Sequence, residues 1–150
     1  MTRDEKYMTL ALEQAKQALF LGEIAVGAVV VRDDIVISSG YNRKKTDRDP
    51  TSHAEIIAIR KASQITGDWR LIGCELFCTL EPCLMCAGAI LGSRFRRVVF
   101  GAFEPNEGFF GSITDLSSSF SNSTNIEVLG GILINSCKEM LLASFDNGRE

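Results

Sequence analysis

A chain of 150 residues, 45% apolar and 23% charged, suffices for one well-cored domain and is too short for two comfortable ones. A formal net charge of −3 lacks the strong basic excess of proteins that coat nucleic acid non-specifically, while leaving room for a local basic patch. Five cysteines (Cys74, Cys78, Cys83, Cys86 and Cys137), no secretory pattern after Met1 and no apolar run near ~18 residues speak against a disulfide framework or a membrane span. They fit a cytoplasmic protein with some thiols committed to metal.

In chain order, Met8, Ala11, Leu12, Ala15, Ala18 and Leu19 recur at helical spacing behind a Thr2-x-x-Glu5 capping box. A helix is predicted from about Arg3 to Leu21, ended by Gly22. Val26 to Val31 and Ile35 to Ile37 flank Asp33-Asp34, a hairpin with a very short loop closed by Gly40-Tyr41-Asn42. Arg43 to Pro50 is a charged connection. It reads either as a solvated loop or as a basic lip able to meet phosphate. A second helix is predicted from about Ser52 to Ile65, with Ala54, Ile57, Ala58, Ala62 and Ile65 on its apolar face and Gly67 as its stop. Alternation makes Cys74 to Thr79 a strand; Pro82 then opens a helix from about Cys83 to Gly92. Arg97 to Phe100 is a strand, Gly101 to Asn125 is loop-rich, Ile126 to Leu129 is a strand, and a last helix runs from Ile134 or Asn135 to Phe145. The sum is an α/β chain, 1–150 one domain, with a mixed sheet sandwiched by helices.

His53, the only histidine, precedes Glu55 by two residues, and Cys83 and Cys86 stand three apart at a helix start. One imidazole and a Cys-x-x-Cys pair are zinc ligands by type and spacing, and a three-ligand zinc keeps a position for water. Glu55 then becomes the proton carrier. The competing readings are specific. Ser52 to Glu55 is also an S-x-x-E capping box, so Glu55 could be only a helix cap. Cys-x-x-Cys at a helix start is also a redox arrangement. Cys74 or Cys78 could close the site as a fourth ligand, although buried core thiols are the commoner case, and Cys137 reads as core too. Residues i and i+2 do not share a helix face, so His53 and Glu55 meet one site only beyond the helix tip. Asn42 is a turn former whose amide could also pair with a base edge.

These motifs together resemble the cytidine-deaminase-like zinc deaminases, most closely the bacterial tRNA-specific adenosine deaminases. The resemblance spans Val26-Gly27-Ala28-Val29, Asp49 to Glu55, Trp69-Arg70-Leu71, Thr79-Leu80-Glu81-Pro82-Cys83-Leu84-Met85-Cys86-Ala87-Gly88-Ala89, Ser93-Arg94 and Arg97 to Ala102. The histidine–glutamate and Pro-Cys-x-x-Cys signature belongs to that class. The resemblance implies a three-layer α/β/α sandwich around a five-stranded mixed sheet, and a homodimer with one zinc (Zn2+) per subunit. His53, Cys83 and Cys86 would be the ligands and Glu55 the proton shuttle. Asn42 and Ala54 would contact the substrate base, and Phe145 and Arg149 would meet a tRNA anticodon stem-loop. The implied reaction is hydrolysis of adenosine to inosine at the wobble position. The chain departs from the family pattern at Ala25, Asn106-Glu107-Gly108, Phe109-Phe110, Asn122 to Asn125 and the weakly basic C-terminus, all in the RNA-facing shell. Those departures leave two alternatives: a deaminase of a free base or nucleotide (guanine, cytosine or deoxycytidylate), and a non-catalytic RNA-binding or structural zinc domain.

Overall fold

The fold comes from a computed structural model that describes residues 1–119 and 125–146. Helix α1 (Arg3–Phe20) starts at a true capping box: the Glu5 amide donates to Thr2 Oγ1, and the Thr2 amide to Glu5. Strands β1 (Gly27–Arg32) and β2 (Ile35–Tyr41) form the expected hairpin. Its two-residue turn places Asp33 at φ 52° and Asp34 at φ 61°. Positive φ at both positions is the type I′ geometry that matches strand twist, and aspartate tolerates it. Then follow α2 (Ala54–Thr66), β3 (Glu75–Leu80), α3 (Leu84–Gly92), β4 (Arg97–Ala102), a short α4 (Leu116–Ser119), β5 (Glu127–Gly130) and α5 (Ile134–Asp146).

The strands form one sheet in the order β2-β1-β3-β4-β5. β1 is antiparallel to both β2 and β3, with Ala28 opposite Cys78, whereas β3–β4 and β4–β5 are parallel. Strand alternation divides the core. Ala28, Val30, Leu76, Cys78, Val98 and Phe100 pack under α2 and α3. Val29, Val31, Phe77 and Val99 pack under α1, with Cys137 of α5 in the same cluster. The sequence expectation of a five-stranded mixed sheet between helical layers holds. Among the described residues no helix is long and apolar enough to cross a membrane.

Two expectations need correction. α2 begins at Ala54 rather than Ser52, because His53 takes the extended N-cap position. Ile65 does not join the apolar face; it is 65% exposed, one residue before the end of α2. The loop-rich stretch after Gly101 also holds the Phe110–Asp115 bridge and α4. The expectations for Arg149 and for residues 122–124 lie outside the described residues.

The sheet carries α2 at very short range. A Cβ on Gly40 of β2 would stand 2.6 Å from the Ala54 carbonyl oxygen and 2.9 Å from the Ala58 nitrogen. Both are backbone atoms, so only a shift of α2 relieves the clash. Gly40→Ala is therefore expected to cost about 1–3 kcal/mol, the range for overpacking. A thermal melt checks this; an unchanged midpoint would mean that the helix is not seated as tightly as the geometry says.

Candidate active site

β3 ends at Leu80, and Glu81-Pro82 turns the chain into α3. Cys83 is the N-cap of that helix, in extended backbone, and Cys86 is its third helical residue. His53 is likewise the N-cap of α2. The two caps face each other, so the positive ends of two helices meet at one point. His53 Nδ1 lies 3.6 Å from Cys83 Sγ and 3.6 Å from Cys86 Sγ. The ligand atoms of all three residues fall within 4.8 Å of one another.

The donor set can be tested against zinc. Ligands at about 2.05 Å (nitrogen) and about 2.3 Å (sulfur), separated by a tetrahedral angle, stand about 3.6 Å apart. Both nitrogen–sulfur separations match that value, so the residues fit the ion. Ionisation supports the fit. The Cys83 thiol is pulled down to about 4, first by its hydrogen bond with Cys86, with His53 adding to the effect against burial. Cys86 is pushed up by the same bond and by burial. The His53 imidazole is raised, chiefly by its bond to Cys83. The pair thus readily keeps one thiolate, the form that ligates metal.

Cys74 and Cys78 stay out of this group. Both are fully buried in the core beneath α2 and α3, and burial raises each thiol. Cys137 packs on the opposite face of the sheet, its thiol pushed up to about 12 by burial. Among the described residues the metal-capable group is His53, Cys83 and Cys86, with neither Cys74 nor Cys78 a member.

Glu55 is the second residue of α2 and only 4% exposed. The capping-box alternative fails on geometry. No side chain caps α2. The Ser52 amide donates to the Asp49 carbonyl at 3.1 Å, and Ser52 Oγ bonds Asp47 at 3.1 Å. The problem of His53 and Glu55 sharing a helix face also disappears, because His53 stands off the helix as its cap. Burial raises the Glu55 carboxyl above the usual range, opposed by the His53 charge. A raised carboxyl holds and releases a proton nearer neutral pH.

A cleft of about 150 Å³ opens over these groups. Asn42 and Ala54 line it, as do Leu80 and Val26. The Asn42 amide donates to the Ile24 carbonyl at 3.1 Å, and its oxygen accepts from the Lys44 amide at 3.2 Å. The turn role and the cleft position therefore coexist. An amide has two N–H groups and two lone pairs, so these bonds leave one of each. Phe145, near the end of α5, is 46% exposed and outside the cleft lining.

Two buried carboxylates shape the rim, and sequence reading missed both roles. Glu81 accepts the amides of Glu104 at 3.0 Å, Phe110 at 3.1 Å and Ser112 at 3.0 Å, together with the Ser112 hydroxyl. A Cβ on Gly108 would collide with the Glu81 carboxyl. Glu23 accepts the Lys45 amide at 3.2 Å, the Thr46 amide at 2.6 Å and the Thr46 hydroxyl at 2.7 Å. Glu81 at least lay inside a conspicuous motif; Glu23 carried no local signal.

A zinc-fitting triad, a buried glutamate and a base-sized cleft on an α/β/α sheet define a class, and comparison with known proteins agrees. Residues 1–102 match the cytidine and deoxycytidylate deaminase zinc-binding region, and the chain belongs to that family. The tRNA-specific adenosine deaminase of Haemophilus influenzae is 45% identical over 148 residues, 98% of this chain and 86% of that one. Its Bacillus subtilis counterpart is 42% identical over 145 residues, 97% and 90% of the two chains. A solved structure from a study of A-to-I editing by tRNA:A34 deaminases superposes with TM-score 0.83 at 37% identity, covering 90% of this chain and 98% of that one. Within the family the chain stands with the tRNA-specific adenosine deaminases.

Proposed function

We propose that the whole chain, as one domain, deaminates adenosine to inosine at the wobble position of a tRNA anticodon stem-loop, as a cytoplasmic homodimer. The observation that carries this reading is the junction of two helix tips. There the His53, Cys83 and Cys86 donor atoms stand at zinc-ligand separation, with buried Glu55 beside them at the floor of a cleft.

His53 Nδ1 and the Cys83 and Cys86 sulfurs would hold zinc, which when bound supplies the Lewis acidity that lets water ionise near neutral pH. Glu55 takes one water proton as the oxygen bonds to C6 of adenine and passes it to the ring nitrogen. It then takes the second proton, from the new C6 hydroxyl, and passes it to the amine as the C6–N bond breaks, so that ammonia leaves and the C6 carbonyl of inosine remains. Asn42 offers its remaining N–H and lone pair to an extruded base, and the Ala54 backbone forms the wall beside it. Phe145 and Arg149 are proposed to meet the anticodon loop, where unstacked bases are cheap to splay.

Mass spectrometry tests the substrate. An anticodon stem-loop with adenosine at the wobble position is expected to gain inosine, while free guanine, cytosine and deoxycytidylate stay intact. Turnover of the free compounds alone would overturn the proposal.

A further inference from the structure

The cleft has a rim of two signs. Lys44 and Lys45, from the loop after β2, line it, and so do Glu104 and Glu107, from the loop after β4. The four cations of the 43–48 loop are not equivalent. Arg43 is neutralised by Asp47 at 3.0 Å, donates to the Tyr41 hydroxyl at 3.2 Å and lies over that ring. Arg48 is exposed and does not line the cleft. Lys44 and Lys45 are exposed at the mouth, and no ion pair holds either of them among the described residues.

The loop that carries these lysines is fixed from below. Glu23, 1% exposed, takes the amides of Lys45 and Thr46 and the Thr46 hydroxyl on one carboxylate. A buried carboxylate with three donors holds a loop far better than a solvated contact does. The chain as a whole has a net charge of −3, so phosphate must be drawn by a local cluster of cations rather than by the overall charge.

We propose that Lys44 and Lys45 form a phosphate-binding lip for the RNA strand flanking the extruded base, with Glu23 as the positioning residue that sets the lip over the cleft. Glu104 and Glu107 repel phosphate, so the strand crosses with its backbone over the lysines. The inference rests on the proposed RNA substrate and deepens it.

The test is binding of an anticodon stem-loop RNA to the zinc-loaded protein, followed by fluorescence anisotropy across a salt series. Each phosphate contact contributes about 0.7 to the log–log salt slope for a single strand. The K44A/K45A double variant is expected to flatten the slope by about 1.4. Between about 50 and 200 mM salt the unaltered protein should then lose about sevenfold more affinity than the double variant. Lys61→Ala, which removes one positive charge at an exposed position of α2, should leave the slope alone. Glu23→Gln should flatten the slope with both lysines still present, and Glu23→Asp should recover most of it, which a general loss of folding would not do. An unchanged slope in K44A/K45A, with the stem-loop still bound and edited by the unaltered protein, overturns the lip alone. Failure of the unaltered protein to bind or edit the stem-loop overturns the RNA substrate and the lip with it.

Discussion

Glu55→Gln is expected to keep a full complement of zinc and to lose turnover by about 10² to 10⁴-fold, the usual worth of a positioned acid–base group. Glutamine preserves volume and hydrogen-bonding capacity but carries no exchangeable acid proton. The buried position makes the effect large, because Glu55 is 4% exposed and stands at the floor of the cleft. Metal content per chain and single-turnover rates on the stem-loop read the two quantities separately. A cap would behave differently, costing about 1 kcal/mol of stability and little activity. If the variant turns over at the parent rate, Glu55 is structural after all.

Cys86→Ser is expected to lose zinc and activity together. The swap nearly preserves shape, so the interior around this buried residue remains filled, but it replaces a soft thiolate by a hydroxyl. Changes outside the ligand shell already weaken metal sites by 10–100-fold, and loss of a ligand should exceed about 100-fold. Chelator treatment sharpens the result: zinc added back should restore the parent protein and not the variant. The variant also judges the redox reading of the Cys-x-x-Cys pair. A dithiol couple would lose disulfide chemistry and leave metal content where it was, whereas a ligand pair loses the metal.

Much of this site was legible in the residue string because its signals are local. Thr2 and Glu5 announce the start of α1 within four residues, and Asp33-Asp34 announce the tight turn. His53, Cys83 and Cys86 declare themselves by ligand type, and Pro82 by where a proline can stand. Local signals also misled. Ser52 and Glu55 have the spacing of a capping box, yet Ser52 turns to Asp47 and Asp49 and leaves the cap to His53. Periodicity put Ile65 on the buried face, but the fold leaves it exposed near the helix end, which helical spacing alone does not show.

What remained hidden depends on contacts across long separations. The order β2-β1-β3-β4-β5 follows from pairings such as Ala28 with Cys78, fifty residues apart, which no short pattern encodes. Glu23 looks like any surface glutamate after a helix. Its role appears only when Thr46, 23 positions later, arrives at its carboxylate. Glu81 sits in a recognisable motif, but the motif does not reveal that its oxygens gather amides from Glu104 to Ser112.

Those two carboxylates bear on how such a protein can change over generations. Each rim loop closes on a buried carboxylate, and neither Glu23 nor Glu81 belongs to the metal-capable group. Exposed loop positions can therefore reverse sign while the carboxylates and the catalytic floor stay put, whereas Gly108 and Phe110 are fixed by their fit to Glu81. Lys44 and Lys45 on one loop and Glu104 and Glu107 on the other already bring both signs to the cleft beside Cys83. An engineer wishing to redirect the cleft toward a different nucleic acid would graft new loops between the same two anchors, treating the rim as an exchangeable cassette.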